Sequence, residues 1–146
     1  MMNIALLAHI ASTLYMTGLI WFVQVVHYPL HGHVGEENFQ TYQTLHVNWT
    51  GYVVGPPMLI EMATTVYFLM NPMNGIPYRT FVVGAVVLAL IWASTALFQV
   101  PFHNALVKAF QSDAHSKLVS SNWIRTIGWT VRGGLALYMI HCLIAK

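Results

Sequence analysis

Two long stretches of the chain contain no Asp, Glu, Lys or Arg at all: the first 35 residues and residues 80–107. Each exceeds the ~20 apolar residues with which an α-helix crosses a bilayer. Two further apolar runs enclose isolated charges, residues 50–70 around Glu61 and residues 123–145 around Arg125 and Arg132. Taken with spans at residues 4–26 and 81–100, the pattern predicts an all-α bundle of four transmembrane helices. Turn formers crowd Asn71-Pro72-Met73-Asn74-Gly75-Ile76-Pro77, which stop the second span and reverse the chain. The longer connections, residues 29–47 and 101–121, are too polar to span but keep a helical rhythm. Phe39, Tyr42, Leu45 and Trp49 recur at about a turn, as do Val107, Phe110, Ala114 and Leu118. They are predicted to be interfacial amphipathic helices, with Trp49 and Trp123 at the headgroup level that indole rings prefer.

The two halves of the chain resemble each other. Gln24-Val25 and His27 lead to Asn48-Trp49 in the first, and Gln99-Val100 and His103 lead to Asn122-Trp123 in the second. A single membrane domain over residues 1–146 built from two tandem hairpin repeats, about 4–70 and 77–146, is the expected organisation. With two spans per copy the repeats share an orientation, which makes His27 and His103 counterparts at one membrane face. His31, His33, His46 and His115 fall in the connections at that face, and His9 and His141 near the other. Lys and Arg do not decide the orientation; the termini are placed on the cytoplasmic side.

Composition supports the membrane assignment. Hydrophobic residues make up 57% of the chain and charged residues 7%, against about a quarter charged in soluble domains. The first span lacks the basic leading region and small-residue cleavage site of a signal peptide, so it is read as a retained helix. A single Cys, Cys142, excludes an internal disulfide, a C-x-x-C redox pair and a C-x-x-C-H haem attachment. The net charge of +2 is dispersed, with no basic run to meet nucleic acid.

Charges inside spans are costly and need partners. Glu61 lies 13 residues after Asn48 and Arg132 lies 10 after Asn122, so in parallel helices their depths differ by three residues, roughly 4.5 Å. They are expected to pair, either to set helix register or as part of a substrate or proton site. Arg125, nearer the surface, is expected to snorkel. Gly55-Pro56-Pro57 predicts a kink whose freed carbonyls either merely bend the helix or line a polar cavity. Gly51-x-x-x-Gly55 and the Ala85, Ala89, Ala93 stripe suggest close helix packing. His27 and His103, with His31 or His46, are candidate metal ligands, and His27 with His103 or His9 with His141 are candidate axial ligands of a b-type haem. The bland alternative is hydrogen bonding to headgroups and loop carbonyls. Pro29, between His27 and His31, argues that the first helix ends there. Asn48-Trp49-Thr50 matches a glycosylation sequon at an unfavourable membrane-edge position.

The runs Met16-Thr17-Gly18-Leu19-Ile20-Trp21-Phe22-Val23-Gln24-Val25-Val26-His27-Tyr28-Pro29, Pro56-Pro57-Met58-Leu59-Ile60-Glu61, Gln99-Val100-Pro101-Phe102-His103 and Asn122-Trp123-Ile124-Arg125-Thr126 resemble a family of uncharacterised four-helix bacterial inner-membrane proteins. A more distant similarity is to anthrone-oxygenase-like membrane proteins, through the Asn-Trp-x-Arg start of the last helix. The resemblance implies an inner-membrane location and singles out His27, Glu61, His103, Asn122, Arg125 and Arg132 without naming a reaction. Three functions stay open. The first is a polar site between the repeats, formed by His27 and His103 near the surface and Glu61, Asn122, Arg125 and Arg132 deeper, holding a metal ion, haem or small polar ligand. The others are a noncatalytic subunit or assembly factor of a larger membrane complex, and a small transporter working as a homo-oligomer.

Overall fold

The computed structural model describes residues 2–145. Four long helices dominate it: α1 (Met2–His31), α2 (Glu36–Met70), α3 (Tyr78–Lys108) and α4 (Ser112–Ile144). Sequential helices are antiparallel neighbours, and α1 and α4 close the bundle along one of its longest contacts. All four are long and apolar enough to cross a membrane.

The surface and interior exchange their usual roles. Ile4, Leu7, Leu90, Leu97, Ile127 and Leu137 are exposed, while His9, Thr13, Gln24, Gln43, Glu61, Gln99, Asn122, Arg125 and Arg132 are buried. This distribution suits a chain whose outside meets lipid and whose polar groups must satisfy one another inside. Three apolar layers separate the buried polar groups. Leu6, Phe68, Phe81 and Met139 pack near the termini; Met16, Ile20, Met58, Ile91 and Trp129 fill the middle; Tyr28, Phe39, Leu106, Ala114 and Leu118 pack at the opposite end.

The amphipathic stretches are helical, as their periodicity predicts, but they join the spans end on. α2 runs unbroken from Glu36 through Trp49 and the Pro56-Pro57 pair to Met70. At 1.5 Å per residue its 35 residues extend about 52 Å, against a hydrocarbon core of ~30 Å. The excess, together with the adjoining ends of α1, α3 and α4, forms a helical cap past the length that such a core requires. Glu36, Glu37, Lys108, Asp113 and Lys117 are exposed on this cap, where Lys117 pairs with Asp113 one turn away at 2.6 Å.

α1 does not end at Pro29. Residues Val23–His27 widen into a π turn, in which the Tyr28 amide donates to the Val23 carbonyl five residues back, and the helix continues to His31. α3 repeats the device: Thr95–Gln99 form a π turn, the Val100 amide reaches the Thr95 carbonyl, and Pro101 follows. A proline lacks an amide hydrogen and crowds the preceding turn. The wider turn just before it lets the chain pass this point without ending the helix.

Close helix approach occurs at glycines other than those the sequence pattern suggests. A Cβ on Gly133 of α4 would lie 2.9 Å from Thr17 Oγ1 on α1, and one on Gly128 would lie 2.7 Å from Ile91 Cγ1 on α3. By contrast, a Cβ on Gly51 or Gly55 meets nothing within 4 Å. The Gly51-x-x-x-Gly55 pair is therefore not a packing seam within this chain, because α4, rather than α2, is drawn tightly against its neighbours.

Candidate functional site

The buried polar groups form two sets at different depths. The deeper one is built around Glu61, which is fully buried on α2. Its Oε1 accepts from Thr13 Oγ1 at 2.7 Å and from Arg132 Nε at 3.1 Å, and its Oε2 accepts from Trp129 Nε1 at 2.8 Å. The remaining Arg132 nitrogens donate to the Gly84 carbonyl and, at 3.3 Å, to Thr65 Oγ1. The pairing expected from residue depth is thus present, and both carboxylate oxygens and all three guanidinium nitrogens are hydrogen-bonded. Thr13, Thr65 and Trp129, which complete the set, have no charge or spacing that marks them in the sequence.

The second set lies between the membrane core and the cap. His27, His31, His46, His103 and His115 gather there from all four helices. His27 Nε2 is 3.0 Å from His46 Nδ1, and Thr50 Oγ1 is 3.1 Å from that same nitrogen. Gln43, which the sequence reading passes over, links two others: its Oε1 lies 2.6 Å from His31 Nε2 and its Nε2 lies 3.0 Å from His103 Nδ1. On its other side, His103 Nε2 lies 3.0 Å from the Tyr28 hydroxyl oxygen. His115 donates from Nε2 to the Tyr28 carbonyl at 2.9 Å. His27 and His103 are bridged by His46, whose ring centroid lies 4.7 Å from the first and 5.2 Å from the second.

These contacts are pairs and short chains. Among the described residues, no group of three His, Cys, Asp or Glu side chains is arranged to hold a metal ion. His9 is drawn into another contact, with Nδ1 2.8 Å from Thr64 Oγ1 and its ring edge-on to Phe68. His33 and His141 are exposed.

Buried amides tie α1 and α3 to α4 beside this cluster. Asn122 Nδ2 donates to Gln24 Oε1 at 2.9 Å, and Gln24 Nε2 donates to the Val119 carbonyl at 3.2 Å. In α3, Gln99 Nε2 donates to Ser121 Oγ at 3.1 Å. The two Gln-Val motifs therefore do comparable work, each at a π turn and each reaching α4. The Asn-Trp motifs do not, for Asn122 is buried while Asn48 is exposed.

Between the two sets lies a cavity of about 180 Å³. Met16, Leu19, Ile20, Val23, Val47 and Val54 make its walls apolar, and Tyr28, His46, Thr50, Gln99, His103 and Arg125 bring polar groups to it. Gly51 and Val100 line it where α2 and α3 are neighbours, and both are exposed on the outer surface. Arg125 does not snorkel. It is 8% exposed, turned into the bundle, with its guanidinium 5.3 Å from the centre of the Trp129 ring. Its direction is set by helical position: Arg125 shares the inward face of α4 with Asn122, Trp129 and Arg132, all buried. Comparison with protein-family models, curated proteins and solved structures finds no match to this chain.

Proposed function

We propose that this integral membrane protein binds a small amphiphilic molecule, taken up from the bilayer, in the cavity between its membrane core and its histidine-rich cap. The observation behind this reading is the cavity itself: apolar walls, a cluster of polar groups, and exposed lining residues between α2 and α3. Ligand sites characteristically combine an apolar enclosure with a few convergent polar groups. A volume of about 180 Å³ is near that of cavities that hold a benzene ring, roughly 150 Å³. It suits a polar head with a short length of carbon, and it is too small for a haem macrocycle.

The small polar ligand is thus favoured over haem, and the paired histidines favour it over a metal ion. Tyr28, His46, His103 and Arg125 are assigned to the ligand's head. Glu61 and Arg132 are assigned a structural role, because each of their side-chain nitrogens and oxygens already has a hydrogen-bond partner within the chain. Asn122 belongs with them, as a clamp between α4 and α1.

Native mass spectrometry of the protein released from neutral detergent tests the proposal, with decanol and decanoate as added ligands. One adduct per chain is expected. Gly51→Phe, whose side chain starts in open space and fills the opening, is expected to abolish it. Absence of any adduct, or equal binding by the Gly51→Phe variant, would contradict the proposal.

A further inference from the structure

The charges inside the bundle do not balance. Glu61 is the one buried carboxylate among the described residues, and it is bonded to Arg132; Arg125 is a second buried guanidinium. No carboxylate of the described residues pairs with Arg125: its guanidinium is hydrogen-bonded to the neutral Tyr28 hydroxyl, and its Nε has no hydrogen-bond partner. The face of Trp129 beside it offers a cation–π contact, which does not neutralise a charge removed from water. A buried cation is ordinarily paired, so the site lacks an anion.

Hydrogen bonding points the same way. The Tyr28 hydroxyl, 3.0 Å from His103 Nε2, also meets the Arg125 guanidinium. His46 Nδ1 is engaged by His27 and Thr50. Tyr28, His46 and Arg125 all line the same cavity. Arg125 offers N–H donors alone, and an oxygen bearing negative charge would accept from them.

We infer that the head of the ligand is an anionic oxygen, that of a carboxylate or another ionised hydroxyl group, held against Arg125 with its carbon chain leaving between α2 and α3. The inference rests on the cavity being a ligand site and adds the charge of what it takes. Charge-assisted hydrogen bonds are about twice as strong as neutral ones, and the pairing here takes place away from water.

Decanoate and decanol, of equal chain length, separate the two ideas. At about pH 8 the carboxylate is ionised, and native mass spectrometry of titrated protein is expected to give decanoate at least about tenfold tighter binding, a difference of ~1.4 kcal/mol. Arg125→Gln is expected to bring decanoate down to the level of decanol, and Arg125→Lys to keep part of the preference. If neither compound binds, the ligand site itself is wrong. If both bind equally to the wild type, the site stands and the anionic head is wrong. Displacement of decanoate by chloride or inorganic phosphate at equal concentration would overturn the amphiphile in favour of a free ion. Where Arg125→Gln does not fold, the wild-type ratio decides alone.

Discussion

Glu61 and Arg125 are both buried ionisable residues, and they respond differently to substitution because one is paired with an opposite charge and the other is not. Removing one member of a buried pair leaves the other uncompensated, at about 3–5 kcal/mol. Glu61→Leu is therefore expected to destabilise the protein by that order, measured by unfolding in mixed micelles. Glu61→Leu combined with Arg132→Leu is expected to recover much of the loss, giving a large coupling in the double-mutant cycle. Additive effects would show that the pair contributes little. Part of this was legible in advance: charges are so rare in the spans that Glu61 and Arg132 were expected to pair, and counting residues from Asn48 and Asn122 placed them within about a turn of each other in depth. The role of Arg125 was not legible. Its nearness to the surface suggested snorkelling, and only its angular position on α4, beside Asn122 and Trp129, turns it inward.

At the scale of elements, α4 organises the bundle through Gly128 and Gly133. Gly133→Ala and Gly134→Ala gain equal helix propensity, so comparing them isolates packing. The first places a Cβ 2.9 Å from Thr17 Oγ1 and the second meets open space. Gly133→Ala is expected to be less stable than Gly134→Ala by about 1–3 kcal/mol; equal stabilities would refute the close α1–α4 contact. Hydropathy gave four spans because apolar runs of that length, with no charge or only one or two isolated ones, have few other readings. It could not reveal which small residues face a neighbour, since that depends on the rotation of each helix about its axis. Pro29 misleads for a related reason. At Pro29 a π turn precedes the proline and carries the helix past it, as at Pro101.

For the whole molecule, helices of 30 to 35 residues imply a cap standing beyond the bilayer, where the connections had been expected to lie flat in the interface. Cysteines introduced at Gln40 and at Leu59, both exposed on α2, distinguish these arrangements in a Cys142→Ser background. Gln40→Cys is expected to react readily with a water-soluble maleimide and Leu59→Cys to be protected by lipid. Comparable reactivity at both would contradict the placement of the cap. In the proposed arrangement the cavity lies at the membrane boundary, with histidines on its aqueous side and the α2–α3 opening on its lipid side. That position underlies the proposal that the protein takes an anionic amphiphile from the bilayer. The most direct test is the anomalous signal of bromine in crystals grown with 10-bromodecanoate. The account predicts a bromine peak on the lipid side of the opening between α2 and α3, with carboxylate density within hydrogen-bonding distance of Arg125. A cavity empty of density, with bromine found only on the outer surface, would contradict it.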